Sequence, residues 1–145
     1  MALLGNLTGS SQFFNSDAFY NGVATTSLRF DHSSSAYLSF TPSSTGDRKT
    51  WTWSGWIKRT EVTSSSDEHY IYTAHSGSNY FAFYFVGNKL GSYFGTGSNY
   101  GAISDRLFRD VSSWYHIVHQ VDAANTTQKV WVNGEEQTLS SGRNP

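Results

Sequence analysis

The sequence predicts an all-β fold, an antiparallel sandwich or jelly roll, and three observations carry that prediction. Apolar and polar residues alternate with a period of two in short stretches from Ser27 onward. Gly, Ser and Asn separate those stretches, and the chain has only two prolines. No long stretch carries a helical stripe, and "SDRLFRDVSSW" has room for one helical turn at most. Many short strands with turn signals between them are the pattern of a two-layer β domain.

In chain order, residues 1 to about 25 show no sustained period. Their apolar pairs, Leu3–Leu4, Phe13–Phe14 and Phe19–Tyr20, are separated by Gly, Ser and Asn. This reads as an extended arm whose apolar pairs dock on a neighbouring subunit; the alternative is a disordered tail. Residues 26–145 are expected to form the sandwich. "SLRFD" and "AYLSF" open it as strands, followed by "KTWTWSGWIKR", "HYIYTAH", "NYFAFYFV" and "KLGSYF". Gly87-Asn88 reads as a tight hairpin turn, and residues 95 to 104 as a Gly/Ser/Asn loop. "WYHIVHQVD" is a long strand and "QKVWVN" another, before Asn133-Gly134 turns the chain into "EEQTL".

Three tryptophans fall within "WTWSGW", residues 51–56. On a period of two, Trp51, Trp53, Gly55 and Ile57 share one face, and Thr52, Ser54, Trp56 and Lys58 the other. The first set is apolar and is expected between the sheets. Trp56 has two possible places: a bulge at Ser54-Gly55 turns it inward, or it lies on the outer face beneath the arm or a neighbour. The second makes it a candidate subunit contact.

With 145 residues the chain supports one domain with a proper core. A net charge of -1 and 14% charged residues give no basic patch for nucleic acid or an anionic membrane. The aromatic content of 17% is too high for a disordered chain. There are no cysteines, which excludes disulfides and thiolate zinc sites. "MALLGNLTG" has neither a basic n-region nor a long apolar run, so no signal peptide or membrane insertion is expected.

Three stretches taken together resemble the laminin-G-like family within the concanavalin A-like lectin/glucanase sandwiches: "SLRFDHSSSAYLSF", "WTWSGWIKR", and "WYHIVHQVD" followed by "KVWVNGEEQ". "TPSSTGDRKTWTWSGWIKR", "LFRDVSSWYHIV" and the start "MALLGNLTGSSQFF" look like the version found in marine bacteriophage structural proteins. The resemblance implies a virion protein without enzymatic activity, a tail fibre or appendage. Its arm would bind other virion proteins, copies would associate as a homo-oligomer, and the sandwich would face a host-surface glycan. The alternative is a capsid decoration or assembly protein with no glycan binding. Family members continue past the "VNG" strand with further strands. The sandwich is therefore expected to be incomplete at its C-terminus, its sheets finished by more of a longer polypeptide or by another chain.

The fold also hosts glucanases, which need two carboxylates converging on one bond. Asp67-Glu68 and Glu135-Glu136 are adjacent pairs, and adjacent strand residues point to opposite faces. Among the histidines, His69 and His75 share strand parity but lie about 20 Å apart, too far for one ion. His116 and His119 have opposite parity, and His116 stands at the family's Trp-x-His position as a structural residue. No cofactor is expected. Some laminin-G-like domains hold Ca²⁺ at a sandwich rim, and Asp31 and Asp122, with Asp105 and Asp110, are the weak candidates that the resemblance offers. Binding is expected instead at rim loops, "SGSN" and "GTGSNYG". Their Asn79, Tyr80, Ser98, Asn99 and Tyr100 can make adaptable polar contacts with a ligand.

Overall fold

The computed structural model describes residues 28–30, 34–62, 64–76, 79–95 and 99–141. The arm, with Leu3, Leu4, Phe13, Phe14, Phe19 and Tyr20, lies outside them, as do Asp31 and Ser98. The chain divides into two units, Met1–Ser43 and Ser44–Pro145. In the first, the described residues form no strand, although "SLRFD" and "AYLSF" alternate. Leu28, Phe30, Tyr37, Leu38 and Phe40 are all exposed. Alternation makes a strand only where a partner edge takes up the backbone and a layer covers the apolar face, and these residues show neither.

The second unit holds nine described strands: β1 (Thr50–Lys58), β2 (Glu68–Ser76), β3 (Asn79–Val86), β4 (Lys89–Gly95), β5 (Asn99–Ser104), β6 (Trp114–Asp122), β7 (Thr127–Val132), β8 (Glu135–Glu136) and β9 (Leu139–Ser141). They form two antiparallel sheets, β1-β6-β7-β8 and β2-β3-β4-β5-β9, packed as a sandwich. The two tight turns are where the sequence places them. Gly87 (φ 54°) and Asn88 (φ 63°) join β3 to β4, and Asn133 (φ 53°) and Gly134 (φ 83°) join β7 to β8. Both central residues are left-handed in each, the type I′ geometry whose twist matches the flanking strands.

Two expectations are corrected. Residues 99–104 are strand, not loop: β4 supplies a continuous partner from Gly91↔Ile103 to Gly95↔Asn99, and pairing overrides a weak intrinsic propensity. "EEQTL" is not one strand. Buried Gln137 donates its backbone N–H to Val130 O (2.8 Å), ending β8, and the chain then crosses to the other sheet as β9 beside β5.

The core lies between the sheets, with Phe83, Phe85, Leu90, Phe108, Tyr115, Ile117, Val130 and Val132 buried together. Trp51 and Trp53 face into it as expected. Trp51 stands edge-on to Phe81 (centroids 4.9 Å), and Trp53 stacks on Tyr72 (5.2 Å). Both remain half-buried, on the outermost strand of their sheet among the described residues. β3 is buried on both faces: Ala82, Tyr84 and Val86 form a second cluster with Tyr80, Tyr93 and Ile103. The run "YFAFYFV" therefore has no solvated side to mark.

Gly55 seats an indole. A Cβ built there would meet Trp53 Cη2 and Cζ2 at 2.7 Å, so the ring lies directly over the glycine. Replacing Gly55 with alanine is expected to push Trp53 off Tyr72 and cost about 1–3 kcal/mol. Urea unfolding measures it, and an unchanged midpoint would contradict the seating.

A polar cluster centred on His119 is buried in the core. His119 is fully enclosed; its Nδ1 lies 2.9 Å from Tyr72 Oη and its Nε2 3.0 Å from Gln128 Oε1. The amide oxygen only accepts, so Nε2 carries the proton and Nδ1 receives the Tyr72 hydroxyl. Ser92 Oγ donates to the same Gln128 oxygen. Tyr72 and Ser92 come from one sheet, His119 and Gln128 from the other. Burial pushes the His119 pKa down to about 4, so the ring is neutral at physiological pH.

Candidate functional site

The outward face of β1, β6 and β7 follows from the register. Trp51, Trp53, Gly55 and Ile57 point inward opposite Val121, His119, Ile117 and Tyr115, so their neighbours point out. Across β1 and β6 the outward pairs are Lys58–Trp114, Trp56–His116, Ser54–Val118, Thr52–Gln120 and Thr50–Asp122. On β7, Trp131 stands beside Val118, and Lys129 beside Gln120. One half of the face is therefore aromatic, with Trp56, Trp114, Trp131 and His116. The other half carries hydroxyl and amide groups.

Between the halves runs a shallow groove of about 430 Å³, lined by Thr52, His116, Val118, Gln120, Trp131 and Gly134. Val118 is its floor and Trp131 a half-buried apolar wall, while Thr52 and Gln120 are exposed. The β1–β6 register runs without a bulge, which settles the place of Trp56: it lies on the outer face, its ring 4.7 Å from that of His116. The His116 ring is held from a second side by Ser54 Oγ, 3.0 Å from Nε2. Its backbone exchanges two bonds with the turn: His116 N–H donates to Asn133 Oδ1 and Asn133 N–H to His116 O, both 2.8 Å. The Asn-Gly turn thus fixes the end of the groove as well as the hairpin.

The charges on this face are matched. Lys129 Nζ lies 3.2 Å from Glu136 Oε1 and 6.0 Å from the centre of the Trp131 ring. Asp122 is turned into its own loop, accepting from Ala124 N (3.1 Å), Asn125 N (3.2 Å) and Asn125 Nδ2 (2.7 Å). The Asn125 side chain and these amides hold its pKa below the usual carboxylate value.

The other sequence-derived candidates are dispersed. Asn79 and Tyr80 belong to β3 and Asn99 and Tyr100 to β5, so rim loops do not carry them. Tyr80 is half-buried, packed with the Ala82–Tyr84–Val86 cluster and 5.8 Å from the Tyr93 ring. A bulge between Tyr70 and Tyr72 breaks the parity shared by His69 and His75: His69 pairs with Phe85, and His75 with Tyr80 on the opposite face. Glu135 and Glu136 do diverge, to Arg106 (3.0 Å) and Lys129. Asp105 accepts from Ser140, and Asp110 from Ser112 and Ser113, which hold its carboxyl at about 2. Among the described residues no group of three His, Asp or Glu side chains could hold a metal ion.

None of the groove-lining residues stands among the sequence-derived binding candidates, yet for Trp131 the sequence carried a sign. The signal was present in "KVWVN": Val130 and Val132 are core, so the residue between them faces out.

Residues 32–145 match the Laminin_G_3 family model, described as the concanavalin A-like lectin/glucanases superfamily. The chain belongs to this superfamily. No curated protein and no solved structure matches it. The lectin/glucanase superfamily joins sugar binding to sugar hydrolysis in its name, and two antiparallel sheets in a sandwich agree with it. What the superfamily does not decide is which of the two chemistries this face serves.

Proposed function

We propose that the chain is a non-enzymatic glycan-binding module of a bacteriophage virion, part of a tail fibre or appendage. The observation that carries the binding reading is the groove on the four-stranded sheet, where the apolar side chains of Trp131 and Val118 lie beside the exposed Thr52 and Gln120. Pyranose rings present the matching surfaces, a patch of C–H bonds on one face and hydroxyls at the rim. Superfamily membership supports the same reading.

Hydrolysis finds little support in the carboxylates of this face. Register places Asp122 and Glu136 two strands and four residues apart, roughly 16 Å between Cα atoms by strand spacing. Glycosidase pairs stand about 5 to 9.5 Å apart, and both of these carboxylates are already engaged. The virion setting rests on the phage-like stretches around "WTWSGWIKR" and "LFRDVSSWYHIV". The arm would attach the module to other virion proteins and to further copies of itself. Glycan-array binding tests the reading, with Trp131→Ala expected to abolish the signal and no reducing ends released. Equal signals from wild type and variant would remove the groove from the account.

A purely structural role in capsid decoration or assembly has one observation in its favour. Leu28, Phe30, Tyr37, Leu38 and Phe40 expose apolar surface in the first unit, 51% to 86% of each residue, as a contact segment would before assembly. Deleting residues 1–25 is expected to abolish incorporation into particles under either role. Silence on glycan arrays together with retained assembly would select the structural one.

A further inference from the structure

Two Asn-Gly dipeptides occur in the chain, Asn21-Gly22 and Asn133-Gly134. The first lies outside the described residues. An asparagine followed by glycine is chemically labile, because no side chain shields the next backbone nitrogen from the asparagine amide. That nitrogen attacks Cγ, loses its proton and expels ammonia, closing a five-membered imide. Water then opens the imide at either carbonyl and leaves aspartate or isoaspartate.

The hairpin sets Asn133 in water but out of reach of this reaction. Asn133 and Gly134 are both exposed, so solvent has access. The backbone opposes ring closure. Asn133 is left-handed (φ 53°) in its type I′ turn, where ψ is about +30°. At that angle the Gly134 nitrogen points away from Cβ across the Cα–C bond, whereas the imide needs the two nearly eclipsed. The side chain is tied as well: Asn133 Oδ1 accepts from His116 N–H, and Asn133 N–H donates to His116 O, both 2.8 Å. Both restraints belong to the hairpin and are released together when it opens. Its closing strand is short. β8 pairs only through Trp131↔Glu136 and Val132↔Glu135, and its ion pairs to Lys129 and Arg106 are exposed and add little. Buried Gln137 holds it shut, with Nε2 donating to Glu135 O and N–H to Val130 O, both 2.8 Å.

We propose that Asn133 is a deamidation site kept unreactive by the β7–β8 hairpin and released by its local opening. The step runs one way. Isoaspartate carries the main chain through Cγ and adds a methylene to a two-residue turn, which then no longer matches the strands it joins. The new carboxylate stands directly before Glu135 and Glu136, and like charges oppose reclosing. His116 and Gly134 line the groove, so the modified turn no longer fixes its end.

The experiment is incubation of the 145-residue chain at mildly alkaline pH, from buffer to concentrated guanidinium chloride, with peptide mapping by mass spectrometry that resolves isoaspartate. In concentrated denaturant Asn133 and Asn21 should convert at similar rates. In buffer Asn133 should convert at least about tenfold more slowly than in denaturant, since only the opened fraction reacts. Its rate should stay flat at low denaturant, because opening one hairpin exposes little surface. Gln137→Ala, which removes the side-chain bond to Glu135 O, should raise the rate in buffer about fivefold and leave the rate in denaturant unchanged. Thermal melts show whether that variant is folded, and the wild-type series stands without it. No conversion of Asn133 in denaturant would overturn the site, and equal rates in buffer and denaturant would overturn its protection. A rate that climbs in step with global unfolding, or a folded Gln137→Ala that converts like wild type, would overturn the hairpin as the element that opens.

Discussion

Phe83→Ala is expected to lower the unfolding free energy by about 3–5 kcal/mol, the range for emptying a large aromatic site. Phe83 is 1% exposed at the centre of β3. Its ring stacks on His119 at 4.3 Å and lies 5.6 Å from Tyr72 and 6.3 Å from Trp53. Those neighbours come from β1, β2 and β6, so one truncation loosens both layers. The rings around it are rigid and cannot collapse into the gap, which places the cost toward the upper part of the range. Domains of this size have only about 5–15 kcal/mol in total, so the variant should be partly unfolded at body temperature. Phe40→Ala, at a residue 86% exposed, should stay within about 0.5 kcal/mol of wild type. A urea midpoint for Phe83→Ala close to that of Phe40→Ala would show that the two sheets do not meet at Phe83.

Acid should unfold the protein through His119. Its folded pKa is about 4, against an ordinary value of 6.5, because burial penalises the charged ring; the bond to Gln128 opposes this only partly. Between those values the unfolded chain binds a proton that the folded chain refuses, so stability rises with pH across the window. It is complete above about pH 6.5 and is lost on acidification toward pH 4, a change on the order of 3 kcal/mol. His119→Leu keeps an apolar side chain beside the Phe83 ring and removes the titration. It strands the Tyr72 hydroxyl and one bond of Gln128, so it should be less stable at pH 7, yet its stability should vary far less between pH 6.5 and pH 4. Urea unfolding at a series of pH values reads both effects. Parallel pH dependence in wild type and variant would place the acid sensitivity elsewhere.

What could be read from the sequence was whatever a period of two or a left-handed turn encodes locally. The inward set Trp51, Trp53, Gly55, Ile57 and the turns at Gly87-Asn88 and Asn133-Gly134 are of that kind. Burial depth was less accessible: Trp51 and Trp53 face inward but stay half-buried on the outermost strand of their sheet among the described residues, and a strand's place is a property of the whole sheet. Strand β5 escaped notice because its "NYGAIS" carries little intrinsic preference and is held by β4. The bulge at Tyr70–Tyr72 exchanged the faces of His69 and His75, and nothing in "HYIYTAH" announces it. The groove was not legible. Trp56 was placed on the outer face as one of two options and as a subunit contact, while the groove beside it, walled by Trp131, required knowing that β7 lies beside β6 and not elsewhere.

The buried Tyr72–His119–Gln128–Ser92 chain also sets how the layers can lie on one another. Aromatic contacts between sheets are tolerant, since a ring displaced by one residue pair finds another ring. Hydrogen bonds are not. Sliding one sheet past the other by a single pair, about 7 Å, would leave the Tyr72 phenol, the Ser92 hydroxyl and Nδ1 of His119 without these partners at a cost of about 1–3 kcal/mol each. The sandwich therefore has one permitted alignment, keyed by four side chains. A shearing load along the strands would meet resistance at that point, because the sheets cannot creep there without first breaking the two bonds that cross between them, Tyr72–His119 and Ser92–Gln128.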